Sequence, residues 1–315
     1  MSTPVPARPD ALTGSPDASR PGLFPRLAAE GFGSLFLAVA GLGVPLFSIP
    51  QSSPMPAALA AGLAVTAAML AFGHVSGGHF NPAITLGHLL AGRIRAGAAA
   101  AYVAAQLAGA SLGALALYAV LRTLPGIADS RTAFDTVTAG FGEHSIVQAP
   151  LAAVLLLEVI GAAIIVSVFL GAAARGRANS AAAPVAVGLT FAALLQLGQA
   201  VGNLPFNPAR AAASAFFSSG WALEQLWVFL AAPLAGAAVA GLVFRTFRAG
   251  EQAGEHAVPA SGPGAESGGS DVSDVSDDEG DAAPVAAPAG GVAVSRKDSD
   301  GGASEAQEFF EGKRG

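Results

Sequence analysis

Two stretches of this chain contain the same tripeptide, Asn-Pro-Ala, at or near their ends. Gly73–Ala83 reads GHVSGGHFNPA, and Gly202–Arg210 reads GNLPFNPAR. Each Asn-Pro-Ala, Asn81-Pro82-Ala83 and Asn207-Pro208-Ala209, lies between strongly apolar segments. Proline suits the first turn of a helix, where its missing N–H costs nothing, and the Asn before it can cap that helix. The pair predicts two similar halves in a membrane, each of which presents an Asn to a shared path.

The composition indicates an integral membrane protein. The chain has 315 residues, of which 52% are hydrophobic and 12% are charged, whereas soluble proteins carry about 25% charged residues. It contains no cysteine, which excludes disulfides, cysteine metal sites and thiol catalysis. It also has no basic surface of the kind that binds nucleic acid, so no nucleic-acid partner is expected.

Six segments are long and apolar enough to span a bilayer, which takes about 20 residues. They are Leu27–Ile49, Ala57–Gly73, Gly97–Leu121, Pro150–Ala172, Pro184–Val201 and Leu223–Thr246. Two shorter stretches, Asn81–Leu90 and Asn207–Phe217, are predicted to be re-entrant half-helices. The predicted fold class is therefore an all-α membrane protein with six transmembrane helices and two half-helices.

The two halves repeat the order span, span, half-helix, span. We expect one channel domain over residues 25–248, with halves at about 25–121 and 150–248. Glu30 opens the first span and Glu158 lies in the fourth, at similar distances before their Asn residues. Because each half has three spans, the second half must insert upside down, and such inverted repeats place a site near the bilayer midplane.

The two termini are expected to lie outside the membrane. Residues 1–24 and the Gly-, Ser- and Asp-rich tail 249–315 are predicted to be disordered, since neither buries enough apolar surface to fold alone. Arginines in the loops and at the span ends favour cytoplasmic termini in the plasma membrane. Eight fall on the side of the termini and two on the other: Arg20, Arg26, Arg93, Arg95, Arg175, Arg177, Arg245 and Arg248 against Arg122 and Arg131.

The half-helices define a candidate pore. Two helix N-termini that meet at the midplane direct partial positive charges at its centre, which repels cations. The amides of Asn81 and Asn207 can donate hydrogen bonds to water or an alcohol. The approaches are predicted to be non-helical, with carbonyls that line a wet cavity. Their candidate lining residues are Gly77, Gly78, His79, Gly202 and Asn203.

Arg210, Glu30 and Glu158 are charged residues within the predicted membrane region, where a charge indicates a functional site. Arg210 follows the second tripeptide and is expected to line the pore. Glu30 and Glu158 are expected to accept N–H bonds from the re-entrant loops, although they could instead be proton relays of a transporter. No acidic partner near the histidines completes a metal site, so neither a metal nor another cofactor is predicted.

These motifs resemble the aquaporin (major intrinsic protein) family over about Leu27–Phe247. The resemblance rests on the two stretches quoted above, together with GFGEHS at Gly140–Ser145 and GWALEQLW at Gly220–Trp227. It implies a homotetramer in the lipid bilayer, with one pore per subunit that conducts water or small neutral solutes passively. It also implies that the chain is not an enzyme, and no nucleophile–base pair or phosphate loop suggests otherwise.

The resemblance further implies a selectivity filter at Ala61, Leu195, Leu204 and Arg210. Water-selective members have Phe, His, a small residue and Arg at these positions, so only Arg210 fits. A one-residue shift on the fifth span would bring Gln196 into the place of Leu195. Glycerol facilitators have two aromatic residues in the filter and an Asp after the Arg, and this chain lacks that pattern too.

The predicted function is a passive channel for water that also passes small neutral solutes such as glycerol, urea or ammonia and excludes protons and ions. One alternative is a solute-selective facilitator with little water flux. Another is a secondary transporter, because inverted repeats are common in that class. The doubled tripeptide followed by an Arg favours the channel.

Overall fold

Nine α-helices make up most of the described chain, which comprises residues 21–48, 55–174 and 181–256 of a computed structural model. All of these residues belong to the first of the two units into which the chain divides, Met1–Pro259. In chain order the helices are α1 Leu23–Phe47, α2 Ala57–Ser76, α3 Pro82–Leu90, α4 Ala96–Leu121, α5 Ser130–Asp135, α6 Leu151–Ala174, α7 Ala182–Gly202, α8 Pro208–Ala215 and α9 Gly220–His256. A short 3₁₀ turn, Gly142–His144, precedes α6.

The predicted fold class is confirmed. Within the described residues, α1, α2, α4, α6, α7 and α9 are long and apolar enough to cross a membrane. The helices that begin at the two Asn-Pro-Ala motifs, α3 and α8, have 9 and 8 residues and are too short to do so.

Several helix ends differ from the predicted ones. α1 begins at Leu23, inside the predicted disordered segment, and α9 continues to His256, inside the predicted tail. α2 continues to Ser76, so the first part of the predicted non-helical approach is helical. α2 ends there because Gly77 adopts a left-handed conformation with φ of 98°, which glycine tolerates. Residues 1–20 and 257–315, and with them most of both predicted disordered segments, lie outside the described residues.

The helices pack as two halves that repeat one pattern. In the first half α1 packs against α4, and in the second α6 packs against α9 in the same way. The halves meet where α2 contacts α7. Each half-helix also packs on the last span of the other half, α3 on α9 and α8 on α4, and the two half-helices contact each other. The half-helices are therefore enclosed by long helices from both halves.

Glycines allow the closest helix approaches. A Cβ at Gly109 of α4 would overlap the carbonyl oxygen of Gly31 in α1, and one at Gly236 of α9 would overlap the carbonyl oxygen of Val159 in α6. These two contacts occupy corresponding places in the two halves, one residue after Glu30 and one after Glu158. Small residues at such crossings bring helix backbones together in membranes, where no hydrophobic effect drives the association.

Gly109→Ala should destabilise the protein, because the clashing atom belongs to the backbone of α1 and cannot rotate away. We expect a loss of about 1–3 kcal/mol, typical of overpacking. Gly97→Ala on the same helix is the control, since a Cβ there meets nothing within 4 Å. Thermal unfolding in detergent measures both variants. An equal melting temperature for the two would contradict a close α1–α4 crossing at Gly109.

Candidate functional site

The two Asn residues hold the starts of the half-helices. The Asn81 Oδ1 accepts a hydrogen bond from the Ala83 N–H at 2.8 Å, and the Asn207 Oδ1 accepts one from the Ala209 N–H at 3.0 Å. Both Asn residues have extended backbone and a Pro follows each at the first helical position. Each side-chain oxygen therefore satisfies a backbone donor that the helix itself cannot.

Each Asn amide also binds the opposite loop. The Asn81 Nδ2 donates to the Phe206 carbonyl at 2.9 Å, and the Asn207 Nδ2 donates to the Phe80 carbonyl at 3.0 Å. This reciprocal pair connects the two halves at the point where α3 and α8 meet. A primary amide has two N–H groups, so each Asn keeps a second donor in addition to the one in this link. Sequence reasoning missed the link because it joins residues far apart in the chain.

The residue before each Asn has an unusual backbone. Phe80 has φ of 48° and Phe206 has φ of 49°, a left-handed conformation that is uncommon for residues other than glycine. Their rings fill the places where Gly33 and Gly161 have no side chain, so that a Cβ at either glycine would overlap a ring. These glycines follow Glu30 and Glu158 by three residues, and the anchored rings hold each strained turn in place.

The Glu30 carboxylate binds the first loop. Four hydrogen-bond donors converge on its two oxygens, at 2.6 to 3.0 Å. An ionised carboxylate, which only accepts hydrogen bonds, matches four donors. The donors are the Ser76 hydroxyl, the backbone N–H groups of His79 and Phe80, and the Gln106 amide. Sequence reasoning missed Gln106, whose signal is a polar side chain in the middle of an apolar helix.

The Glu158 carboxylate occupies the corresponding place in the second half but has fewer partners. Its Oε1 accepts from the Phe206 N–H at 3.2 Å, while its buried Oε2 has no hydrogen-bond partner among the described residues. One of the missing donors is explained by the loop sequence. Pro205 stands where the first loop has His79, two residues before the Asn, and proline has no N–H to donate.

Two adjoining cavities run from Arg210 towards Asn207. The first, the Arg210 cavity, has a volume of about 460 Å³, which includes space open to solvent. The second, the Asn207 cavity, has a volume of about 300 Å³. They share four lining residues, Gly41, Ala61, Leu195 and Arg210. Three of the four residues assigned to the filter therefore border the region where the two cavities adjoin, together with a glycine that sequence reasoning missed. The resemblance implies that this is the narrow region of the pore.

Leu204, the fourth residue assigned to the filter, is almost fully buried. Leu204 lines the Arg210 cavity, but its side chain is 1% exposed and packs over Gly198 of α7. Its neighbour Asn203 lines the same cavity and donates a hydrogen bond from Nδ2 to the Thr136 carbonyl at 3.1 Å. Gln196, the alternative to Leu195, lines neither cavity.

A third cavity, the His79 cavity of about 520 Å³, lies beside the first loop. His79 and Gly77 line it, and Gly78 lies between them with φ of 70°. In the second loop, Gly202 is the last residue of α7, so it is helical where the approach was predicted to be non-helical. Its carbonyl accepts a hydrogen bond from the Gly140 N–H at 3.1 Å, and its place in the pore lining stays a prediction.

Polar side chains surround the His79 cavity, but they do not form a metal site. Arg26, His88 and Arg93 line it as well, and the rings of His79 and His88 lie 4.2 Å apart. Within the described residues, no group of three or more His, Cys, Asp or Glu side chains could hold a metal ion. His88 was missed by sequence reasoning because it follows the motif on the buried side of α3.

Glu30→Gln should destabilise the protein more than Glu158→Gln. Gln replaces one acceptor oxygen of the carboxylate by an NH₂ group, which cannot accept a hydrogen bond. At position 30 this NH₂ group must face a donor, because donors reach both oxygens of Glu30. At position 158 the NH₂ group can take the place of the unpartnered Oε2. A lost charge-assisted hydrogen bond costs about 1.5–3 kcal/mol. Thermal unfolding of the matched pair in detergent measures the difference, and equal melting temperatures would contradict the unequal hydrogen bonding of the two loops.

Known proteins are similar to this chain in sequence. Residues 18–244 match the family model of the major intrinsic protein. Aquaporin Z of Photorhabdus laumondii is 37% identical over 236 residues, which is 72% of this chain and 99% of that protein. Aquaporin Z of Bradyrhizobium diazoefficiens is 37% identical over 224 residues, 70% of this chain and 92% of that protein.

The fold is also that of a solved channel structure. The aquaglyceroporin from Plasmodium falciparum superposes with a TM-score of 0.57, at 20% sequence identity, over 72% of this chain and 95% of that one. The half-helix geometry, the family match and the two relatives agree with the resemblance inferred from the motifs. This multi-pass membrane protein therefore belongs to the major intrinsic protein family, whose members are channels and not enzymes.

Proposed function

We propose that the protein is a passive channel for water and small neutral solutes such as glycerol, urea and ammonia. The observation that carries this proposal is the pair of adjoining cavities that share Ala61, Leu195 and Arg210 and reach Asn207. A solute that enters the Arg210 cavity meets the Asn amide at the start of α8. The His79 cavity is the proposed mouth on the other side of the two Asn residues.

The chemistry of the passage favours neutral solutes. Arg210 places a permanent positive charge at the narrow region, and the N-termini of α3 and α8 add two partial positive charges at the centre. A hydronium or metal cation is repelled by all three. A neutral solute is not repelled by these charges, but it gives up hydrogen bonds to water when it enters. The second N–H of each Asn amide and the Arg210 guanidinium offer donors that replace some of those bonds.

The wall of the narrow region supports passage of solutes larger than water. The resemblance implies that Ala61 takes the place of a large ring, and Leu195 the place of a polar His, in water-selective members of the family. Both differences would remove side chains that narrow the passage to a single file of water. The chain is similar both to an aquaglyceroporin and to two aquaporin Z proteins, which is compatible with passage of water and of larger neutral solutes.

Assembly and orientation complete the proposal. We infer a homotetramer with one pore in each subunit, as the family resemblance implies. Large apolar side chains such as Leu63, Leu70 and Leu112 are exposed on the outer faces of the helices, where lipid or a neighbouring subunit would cover them. The excess of arginines on the side of the termini favours cytoplasmic termini in the plasma membrane.

Osmotic experiments on proteoliposomes test the function directly. We expect fast water flux and also glycerol or urea uptake, both well above those of protein-free vesicles and neither saturable nor dependent on an ion gradient. Solute uptake without water flux would support the facilitator alternative, and ion-coupled uptake would support a transporter. Water flux with no solute uptake would contradict the proposed wide filter.

Substitutions that restore side chains at the narrow region test the filter positions. Ala61→Phe should reduce glycerol and urea uptake by about tenfold, since even one methylene in a pocket can change discrimination by that much, and should leave much of the water flux. Leu195→His should act in the same direction. The control is Leu63→Phe, on the exposed face of α2 at 47% exposure. Unchanged solute uptake in Ala61→Phe would remove Ala61 from the filter.

A further inference from the structure

Two arginines line the His79 cavity. Arg26, on α1, and Arg93, in the turn after α3, are both half-buried in its wall, and the Arg93 Nη1 donates a hydrogen bond to the Leu170 carbonyl of α6 at 2.9 Å. The described residues that line this cavity include no Asp or Glu. The Glu30 carboxylate is not part of the lining and already accepts four hydrogen bonds. A cavity with positively charged and no acidic lining residues favours an anion as its ligand.

Arg26 is anchored and still has donors to offer. Its Nε donates to the Tyr102 hydroxyl at 2.6 Å, and its guanidinium lies 5.1 Å from the centre of the Tyr102 ring. The Tyr102 hydroxyl donates in turn to the Ser76 carbonyl at 2.8 Å. A guanidinium has five N–H groups, and the other four of Arg26 have no hydrogen-bond or ion-pair partner within the described ranges. Such a planar set of donors matches the oxygens of an oxyanion.

Two histidine rings add hydrogen-bond acceptors to the same cavity. The His88 Nδ1 lies 3.0 Å from the Ile84 carbonyl oxygen, which can only accept, so this nitrogen carries a hydrogen. The His79 Nδ1 lies 3.1 Å from the Thr85 hydroxyl, whose single hydrogen goes to the Asn81 carbonyl at 3.1 Å. The His79 Nδ1 therefore carries a hydrogen as well. In a neutral imidazole the other nitrogen, Nε2, then has a free lone pair.

Both Nε2 atoms are accessible to a ligand. Neither has a hydrogen-bond partner in the described part of the chain, and neither belongs to the unpartnered atoms that are fully buried. The His79 Nε2 lies beside Gly77, where an added Cβ would be 3.5 Å away, and Gly77 also lines the cavity. The ring centres of His79 and His88 are 4.2 Å apart, so the two free nitrogens offer their acceptors in one region.

Charge and acceptors together define the ligand. An oxyanion can accept N–H bonds from Arg26 through its oxygens. An oxyanion without hydrogen, such as sulfate, would also bring oxygens against the imidazole lone pairs, where nothing donates. An oxyanion with an O–H group, such as hydrogenphosphate or bicarbonate, can donate that hydrogen to an Nε2 while its other oxygens face the guanidinium. A metal cation would find acceptors on the two rings but would be repelled by the arginines.

We propose that the His79 cavity binds an oxyanion that carries a hydrogen, with hydrogenphosphate as the simplest example, and that the bound oxyanion obstructs the passage. The obstruction rests on the proposed channel function, because it requires this cavity to be a mouth of the passage. The binding does not, since it can be measured in protein that conducts nothing. Lipid headgroups joined by a phosphodiester have no hydrogen to donate and fall outside this ligand class.

Isothermal titration calorimetry of the full chain in detergent tests the binding, at about pH 8, where ordinary imidazole is neutral. Phosphate and sulfate are the matched ligands, because both are then mostly dianions and differ in one hydrogen. We expect phosphate to bind at least about tenfold more tightly, the order of one charge-assisted hydrogen bond. Dimethyl phosphate, an anion without an O–H group like the phosphodiester of a lipid, should bind no more tightly than sulfate.

Variants separate the acceptor from the charge. His88→Leu removes one acceptor and keeps both arginines, so it should weaken phosphate binding about tenfold and not weaken sulfate binding. Arg26→Gln should weaken the binding of both anions, while Arg26→Lys, which keeps the charge, should retain more of it. The matched control is Arg95→Gln, two residues after Arg93, because Arg95 lines none of the three cavities described above. Melting temperatures in detergent identify the variants that fold.

Stopped-flow water flux in proteoliposomes with phosphate or sulfate on both sides tests the obstruction. Phosphate should lower the flux of the unsubstituted protein and of Arg95→Gln, and lower that of Arg26→Gln much less. Equal binding of phosphate and sulfate, or phosphate affinity unchanged in His88→Leu, would overturn the site. Phosphate binding without any change in water flux would overturn the obstruction. Folded protein that passes neither water nor any solute would overturn the proposed channel function, while the calorimetry would still decide the binding site.

Discussion

The structure depends on how two irregular loops are satisfied inside a membrane. Lipid offers no hydrogen bonds, so every backbone group that leaves a helix at membrane depth needs a partner from the protein or from water in a cavity. Glu30 supplies acceptors for the first loop, and Glu158 does so for the second. The side-chain amides of Asn81 and Asn207 donate hydrogen bonds to backbone carbonyls of the opposite loops, which joins the loops to each other. These contacts hold the two helix starts facing one another between the long helices of the two halves.

The same constraint explains the small residues along the long helices. Phe80 and Phe206 adopt strained conformations and fit only because Gly33 and Gly161 leave room for their rings. Close helix crossings at Gly109 and Gly236 bring the glutamates within reach of the loops. The packing of the Phe rings and the hydrogen bonds of the glutamates therefore depend on each other. Because both recur in the two halves, the passage is built in a similar way on both sides of its centre.

The two halves nevertheless differ in how their loops are held. Four donors reach the Glu30 carboxylate and one reaches Glu158, and Pro205 accounts for one of the missing donors. The second half also carries Arg210 directly after its Asn-Pro-Ala, where the first half has Ile84. Arg210 borders the region that Ala61 and Leu195 also line, so a fixed positive charge lies beside apolar side chains on one side of the two Asn residues.

The sequence by itself determined the fold class, the six spans, the two half-helices and the family, because apolar length and the repeated Asn-Pro-Ala are local signals. It also identified Arg210, Glu30 and Glu158, since charges are conspicuous in apolar segments. The tertiary structure decided which groups meet: the links from each Asn to the opposite loop and the Gln106 contact to Glu30. It also showed that the Gly202 carbonyl accepts a hydrogen bond from the Gly140 N–H. These contacts join residues distant in sequence, and a side chain's partners follow from packing geometry, which no local pattern of residues encodes.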